Sequence, residues 1–229
     1  MNLKAYLAHW RNWFTSGHVC RDMLRTVVYF AKGYLMAVFA IMILQRYIMY
    51  YPAATWPIKP QAIGAEVVTY TTTDNIKLTN WYIPPKDGKP VIVLFHGNAG
   101  NISYRAFKQQ YFSQRGYGFL LAEYRGYSNN PGSPSEQGFY NDGRAAMAWL
   151  MNDRKIPENQ IIVYGESIGS GTASEMAIEY KGIKALVLEA PFTSAENEAG
   201  DVYPWLRPFT YLTLDKFDNI AKAPSFRCP

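Results

Sequence analysis

The pattern of apolar and polar residues changes once along this chain, near residue 60. Before that point there is one long uncharged apolar run, over residues 33–44. After it, short apolar segments alternate with segments in which apolar residues recur every three or four positions. The short segments predict strands at 66–70, 76–83, 91–95, 119–124, 161–164 and 185–189, and the longer ones predict helices at 103–115, 135–150 and 168–180.

This alternation predicts an α/β fold with a doubly wound, mostly parallel sheet. The first two strands flank the turn residues Thr73, Asp74 and Asn75, which predicts an antiparallel hairpin. The later strands are separated by helices, and such crossovers join parallel strands.

The apolar run predicts a membrane helix once its flanks are included. Residues 33–44 alone are too short to span a bilayer. Apolar residues continue on both sides, Lys32 can extend its charge to the membrane surface, and tyrosines surround Arg46. We therefore expect an uncleaved, single-pass signal anchor over residues 26–48. The alternative is a helix lying in the membrane interface, because Lys32, Gln45 and Arg46 interrupt the stretch.

Charge gives this helix an orientation and argues against nucleic acid as a partner. The chain has a formal net charge of +5. Residues 1–33 hold five basic side chains and one acidic one, so the remainder is almost neutral and has no basic stripe. The basic flank predicts a cytoplasmic N-terminus and a main domain on the outer side, periplasmic or lumenal. The expected organisation is a basic N-terminus (1–25), the anchor (26–48), a proline-containing linker (49–65) and an α/β domain (66–229).

The two cysteines, Cys20 and Cys228, lie near opposite ends of the chain and form no metal-binding or redox motif. Cys20 is either an inert thiol or, because it lies close to the apolar run, a lipidation site. No metal or cofactor is expected.

Residues 161–171, I-I-V-Y-G-E-S-I-G-S-G, contain the strongest chemical motif. The sequence from Gly165 to Gly169 matches G-x-S-x-G, with a predicted strand before it and a predicted helix after it. This is the context of a nucleophile elbow, a turn so tight that its flanking positions must be glycine and its serine projects from the sheet. The motif predicts Ser167 as a nucleophile, with a helix N-terminus behind it that can stabilise an oxyanion.

A second candidate element follows the predicted strand at 91–95. It reads His96-Gly97-Asn98-Ala99-Gly100-Asn101, at the end of a central strand where ligands bind in open α/β sheets. His96 is either a catalytic base or a residue that holds this loop. We favour the second role, because it directly follows a buried strand and precedes the candidate nucleophile.

Together these motifs resemble the α/β-hydrolase superfamily. H-G-N-A-G-N, E-Y-R-G-Y at 123–127, G-S-P-S-E at 132–136 and G-E-S-I-G-S-G are similar to its membrane-anchored branch related to prolyl-oligopeptidase and dienelactone hydrolase. The resemblance implies an acyl-transfer enzyme acting on an ester, thioester or amide, and a small-molecule or lipid-like acyl substrate. It implies Ser167 as nucleophile, the N–H groups of Asn98 and Ile168 as oxyanion hole, and Gly97, Gly165 and Gly169 as support. Glu166 supports the elbow, and Asp142 is expected in the first turn of a helix, where its charge suits the dipole.

The sequence departs from the family pattern after Ser167. The family order is serine, acid, histidine, whereas the histidines here are His9, His18 and His96. The last residues lead toward the family's next strand without forming it, so we expect an interrupted domain that lacks its last strands. The alternative function is therefore a catalytically inactive truncated hydrolase or pseudoenzyme. The acids after the elbow that remain as candidates are Glu189, Asp201, Asp215 and Asp218.

Aromatic residues over 191–217 predict either a cap over an apolar pocket or core packing. The oligomeric state is not predicted.

Overall fold

The computed structural model describes residues 3–15 and 18–229. The chain divides into two compact units, residues 1–44 and residues 45–229. The first unit contains helix α1 (Leu3–Thr15) and most of helix α2 (His18–Met49). The basic N-terminal segment predicted over residues 1–25 includes positions 1, 2, 16 and 17, which lie outside the described residues.

Within the described residues, one helix is long and apolar enough to cross a membrane. It covers Val19–Met49, which is 31 residues, and about 20 apolar residues are sufficient to span the hydrocarbon core. The anchor predicted over residues 26–48 lies inside this helix. Its orientation and the domain boundaries around it remain predictions.

The second unit is built on a six-stranded mixed sheet. The strands of the whole unit, including two that lie outside this sheet, are β1 (Tyr51–Pro52), β2 (Glu66–Thr71), β3 (Lys77–Ile83), β4 (Val91–Phe95), β5 (Ala99–Gly100), β6 (Gly118–Ala122), β7 (Ile161–Glu166) and β8 (Ala185–Glu189). The main sheet has the order β2-β3-β6-β4-β7-β8, and β1 pairs separately with β5. Strands β2, β3 and β6 are antiparallel neighbours, while β6, β4, β7 and β8 are parallel.

The fold prediction is confirmed. Every predicted strand is present, with bounds that differ by at most two residues, and the hairpin turns at Asn75, whose φ is +63°. The helices are α3 (Ala106–Ser113), α4 (Glu136–Ala148), α5 (Gly169–Glu179), α6 (Ala195–Val202) and α7 (Asn219–Lys222). The helix predicted at 103–115 is shorter, because Asn101 first caps a 3₁₀ turn over Ile102–Arg105.

Both faces of the sheet are covered, which explains the continuous apolar runs of its central strands. Alternate residues of β4 point to opposite sides. Val91, Val93 and Phe95 join a core that includes residues of α4 and α5. Ile92 and Leu94 join a second core, under α3. The carboxyl ends of β4 and β7 are neighbours in this arrangement, because the two strands pair in parallel from Val91 and Ile161 to Phe95 and Gly165.

Candidate active site

Ser167 lies in the turn that joins β7 to α5, and its backbone has a φ of +50°. A non-glycine residue in this conformation costs roughly 1–3 kcal/mol, so neighbouring contacts must maintain it. The Ser167 N–H donates to the carbonyl of Glu189 (2.9 Å), and the Ser167 carbonyl accepts from the N–H of Ser170 (2.9 Å). Among the described residues, none hydrogen bonds to the Ser167 hydroxyl, which is therefore available for other chemistry.

The glycines on either side of this turn have no room for a side chain. A Cβ atom added to Gly169 would lie 2.0 Å from the carbonyl oxygen of Phe95, and one added to Gly165 would lie 2.6 Å from the carbonyl oxygen of Gly169. Both obstacles are backbone atoms that cannot move aside without displacing a strand or a helix. Glycine at these two positions is thus required for α5 to begin so close to β4.

The residues from His96 to Asn101, here called the His96 loop, meet the Ser167 turn at Gly97. A Cβ atom on Gly97 would lie 3.5 Å from the Cβ of Ser167 and 2.8 Å from Oε1 of Glu166. Two segments that are distant in sequence therefore come together at the carboxyl ends of adjacent strands. Of the two predicted oxyanion donors, Asn98 is half-buried in this loop, and Ile168 is buried at the N-cap of α5.

His96 has both ring nitrogens engaged. It is fully buried, with Nδ1 2.7 Å from the carbonyl oxygen of Gly97 and Nε2 2.6 Å from Oε1 of Glu123. Because a carbonyl oxygen only accepts, Nδ1 carries a proton. Glu123 is itself buried and also accepts from the N–H of Ile102 (3.1 Å) and the hydroxyl of Ser128 (2.5 Å). In this geometry His96 has no free nitrogen to take a proton from Ser167, and its role in holding the loop stays a prediction.

Two buried tyrosines hold the other side of the same loop. Tyr124 donates its hydroxyl hydrogen to the carbonyl of His96 (3.1 Å), and Tyr127 donates to the carbonyl of Asn98 (2.8 Å). Burial raises the pKa of both phenols, so both stay protonated donors at neutral pH. The sequence analysis includes both tyrosines in the motif E-Y-R-G-Y but predicts no role for them. Their position shortly after β6, which is the other strand neighbour of β4, could have indicated that they lie near the His96 loop.

A cluster of ionic side chains adjoins the Ser167 turn and supports it. Nη2 of Arg105 lies 2.6 Å from Oε1 of Glu166, and Nζ of Lys108 lies 2.8 Å from Oε2 of the same residue. Burial alone would raise the pKa of Glu166, but the two cations outweigh it and lower the pKa to about 2. Lys108 also contacts Glu189, which accepts from the hydroxyl of Tyr164 (2.5 Å) as well. These hydrogen bonds lower the pKa of Glu189.

Asp142 does not occupy the position expected for it. It lies in the middle of α4, is almost fully buried, and accepts from Nε of Arg125 (2.9 Å). Burial raises its pKa to about 6, although Arg125 opposes the shift. The first-turn acid of α4 is Glu136 instead. The expectation was wrong although the start of α4 was predicted to within one residue: Asp142 lies six residues after Glu136, on the side of the helix that faces the core.

The other candidate acids have structural partners, and none of them is bonded to a histidine among the described residues. Asp215 is buried and accepts from Arg46 (2.8 Å), Tyr50 (3.0 Å) and the N–H of Glu136 (3.1 Å). Asp218 caps α7 and Asp201 pairs with Arg207 at the surface. In the same part of the chain, no group of three or more His, Cys, Asp and Glu side chains is arranged to hold a metal ion.

Core packing accounts for some of the aromatic residues after β8 but not for three of them. Tyr203, Trp205 and Tyr211 are 41%, 47% and 59% exposed. Phe192 packs against the main core, and Phe217 is fully buried beneath α4 and α5. The exposed rings stay compatible with a cap.

Comparison with known proteins agrees with this architecture. The uncharacterized protein Rv2307c of Mycobacterium tuberculosis is 37% identical over 190 residues, which cover 81% of this chain and 66% of that protein. The uncharacterized membrane protein YNL320W of Saccharomyces cerevisiae is 30% identical over 154 residues, covering 66% of this chain and 54% of the yeast protein. The chain therefore spans less than two thirds of the length of these relatives.

Solved structures with the same fold include esterases. The Pyrococcus furiosus esterase Pf2001 matches with a TM-score of 0.61 and 22% identity, over 79% of this chain and 74% of that one. The acetyl xylan esterase from Paenibacillus sp. R4 matches with a TM-score of 0.56 and 20% identity, over 78% and 79%. The sequence profile of the α/β-hydrolase fold matches residues 90–220, which include β4, the Ser167 turn and β8. The chain belongs to the α/β-hydrolase fold family.

Proposed function

We propose that this chain carries the nucleophile and oxyanion hole of a membrane-anchored serine hydrolase. The observation that carries the proposal is the Ser167 turn, with its positive φ and its contact with Gly97 of the His96 loop. Strain of this kind at a turn between strand and helix is a feature of functional sites. The substrate class is an ester, a thioester or an amide with a small or lipid-like acyl group.

The proposed reaction is acyl transfer to water. The Ser167 hydroxyl oxygen bonds to the carbonyl carbon as its proton passes to a base, and the carbonyl π electrons move to oxygen. The N–H groups of Ile168 and Asn98 stabilise this oxyanion, aided by the N-terminus of α5. The tetrahedral intermediate then collapses, and the alcohol, thiol or amine leaves after it takes a proton from the protonated base. Water then attacks the acyl-enzyme in the same way and regenerates Ser167.

The general base is not supplied by residues 168–229, which contain no histidine. His96 is occupied by Gly97 and Glu123. The engagement of both ring nitrogens of His96 favours a second candidate function, a protein that keeps the fold and binds acyl compounds without turnover. The test must therefore measure the reactivity of Ser167 separately from catalytic turnover.

Labelling by a fluorophosphonate, with imidazole added as an external base, makes this separation. In the full chain in detergent, we expect imidazole to accelerate labelling, and Ser167→Ala to abolish it. Ser170→Ala is the matched control, because Ser170 is fully buried and its hydroxyl accepts from Asn219 (3.0 Å). Labelling that persists in Ser167→Ala would contradict the assignment. Ser167-dependent labelling without ester turnover would favour the second candidate.

We also propose a single-pass membrane protein whose N-terminus is cytoplasmic and whose α/β-hydrolase unit lies on the opposite side. The support is the length of the apolar helix and the basic residues before it. No nucleic acid is expected as a partner.

A further inference from the structure

The residues directly after the apolar helix contact the proposed oxyanion hole. We call residues 49–56 the anchor-proximal segment. Within it, β1 pairs in parallel with β5, so that Tyr51 lies beside Ala99 and Pro52 beside Gly100. The N–H of Ala53 continues the pairing and donates to the carbonyl of Gly100 (2.9 Å). A segment that sequence reasoning treated as a linker therefore runs along the His96 loop.

Two asparagine side chains of the His96 loop strengthen this contact. Asn98 donates from Nδ2 to the carbonyl of Met49 and accepts at Oδ1 from the N–H of Tyr51 (3.3 Å). Asn101 donates from Nδ2 to the carbonyls of Thr55 (2.7 Å) and Ala53 (3.2 Å). Because Asn101 is fully buried, water does not replace these hydrogen bonds when they break, and their loss costs free energy.

The anchor-proximal segment also contacts the network that holds His96. The indole N–H of Trp56 donates to the hydroxyl oxygen of Ser128 (2.7 Å), and the N–H of Ser128 donates to the carbonyl of Ala53 (3.0 Å). The same Ser128 hydroxyl donates to Glu123, the partner of His96. The segment thus contacts the loop directly and also through the residues that support its other side.

We propose that the anchor-proximal segment is a positioning element that sets the place of the Asn98 N–H relative to Ser167, so that the end of the apolar helix controls oxyanion stabilisation. This inference rests on the proposed function. An oxyanion donor acts only when it lies about 2.7–3.1 Å from the developing charge, and removing one costs about 10²- to 10³-fold in rate. Asn98 is held at its carbonyl by Tyr127 and at its side chain by Met49 and Tyr51. A shift of the segment consequently moves Asn98.

Asn101→Asp tests the inference with little change in shape. The aspartate keeps the oxygen that accepts from the N–H of Ser103 (3.1 Å), so the cap of the 3₁₀ turn survives. It loses the donor to Ala53 and Thr55 and places an oxygen against their carbonyls. The matched control is Asn129→Asp, because the Asn129 amide donates to the carbonyl of Ala54 (3.2 Å) in the same segment but lies outside the His96 loop.

The readouts are the imidazole-assisted fluorophosphonate labelling of Ser167 and amide hydrogen exchange of residues 50–56, both in the full chain in detergent. We expect Asn101→Asp to lower the maximal labelling rate about tenfold or more, with little change in the half-saturating probe concentration. It should also accelerate exchange of the Tyr51 and Ala53 amides. Asn129→Asp should stay within about twofold of the unaltered chain, the scatter expected where no oxyanion donor is displaced.

The outcomes separate this inference from the proposed function. Equal labelling by both variants, with faster exchange in Asn101→Asp, would overturn the inference alone. Slower labelling with unchanged exchange would overturn the inference too, because the slower labelling would then not be caused by loosening of the anchor-proximal segment. Failure of the unaltered chain to label at Ser167 would overturn the proposed function and this inference with it.

Discussion

At the scale of single residues, the Ser167 turn is shaped by backbone atoms in close contact. Gly169 lies against the end of β4, and Gly97 lies against Glu166 and Ser167. The carbonyl of Phe95 that faces Gly169 belongs to a central strand and cannot relax locally, whereas the atoms that face Gly97 belong to the side chains of Glu166 and Ser167. The candidate nucleophile is thus held by the packing of the sheet as a whole.

Gly169→Ala is expected to destabilise the chain strongly, by more than about 3 kcal/mol, because overpacking against backbone is costly. Its methyl group would lie 2.0 Å from the carbonyl oxygen of Phe95. Thermal unfolding in detergent checks this. The control is Gly182→Ala, whose nearest neighbour is the flexible carboxylate end of Glu158 at 3.2 Å. Similar unfolding temperatures for both variants would contradict the packing argument.

The ion cluster around Glu166 predicts a pH dependence. The pKa of Glu166 is lowered from 4.5 to about 2. The stability that it contributes is therefore present above pH 4.5 and lost as the pH falls toward 2. Glu166→Gln should lower the free energy of unfolding at pH 7 by about 1–3 kcal/mol, and the difference from the unaltered chain should shrink at pH 3.

Urea unfolding at both pH values measures this difference, and subtraction of the unaltered chain removes other groups such as Asp142. Glu66→Gln is the control, since Glu66 pairs with Arg154 at a site where its side chain is 46% exposed. A deficit for Glu166→Gln that stayed constant from pH 7 to pH 3 would count against the lowered pKa.

At the scale of elements, Arg125 joins three parts of the unit. Its guanidinium contacts Asp142 of α4 at 2.8 Å and Asp74 of the β2–β3 turn at 2.6 Å. Arg125 itself follows β6, whose strand neighbours are β3 and β4. This buried cation therefore connects the hairpin, the sheet and the helix that covers it.

Asp142→Ala should cost about 3–5 kcal/mol, because removing one partner leaves a buried charge without full compensation. Asp201→Ala removes an ion pair whose partners, Asp201 and Arg207, are 69% and 66% exposed, and it should cost less than about 1 kcal/mol. Urea unfolding at pH 7 compares the two. Equal costs would show that burial of the Arg125 pair has no energetic consequence.

At the scale of the whole molecule, the chain consists of an apolar helical unit and an α/β-hydrolase unit that begins at Gln45. The segment after Gln45 belongs to the second unit through its contacts with the His96 loop and with Asp215. The boundary suggested by the structure is thus earlier than the start of the sheet.

Membrane extraction tests the spanning helix. We expect the full chain to remain in the membrane pellet after alkaline carbonate washing, because its helix of 31 residues exceeds the roughly 20 needed to span. A shortened chain beginning at Gln45 should be released by the same wash. Release of the full chain would exclude a spanning segment and favour the interfacial helix.

The sequence by itself determined the order and type of the elements, because strand and helix periodicities are local properties of neighbouring residues. It also located the Ser167 turn, since G-x-S-x-G between strand and helix leaves few other geometries. It failed at the start of α3, where the cap Asn101 first begins a 3₁₀ turn. It also failed at Asp142, which is buried in the middle of α4 because that side of the helix packs on the core.

Only the tertiary structure decided what surrounds the site. The contacts of Arg105 with Glu166, of Tyr127 with Asn98 and of Asn101 with Thr55 join residues 61, 29 and 46 positions apart. The hydrophobic periodicity of the sequence does not predict such pairs, because they depend on which strands become neighbours and on the path of the connecting segments. The same reason explains why a proline-containing segment that reads as a linker lies against the candidate oxyanion loop.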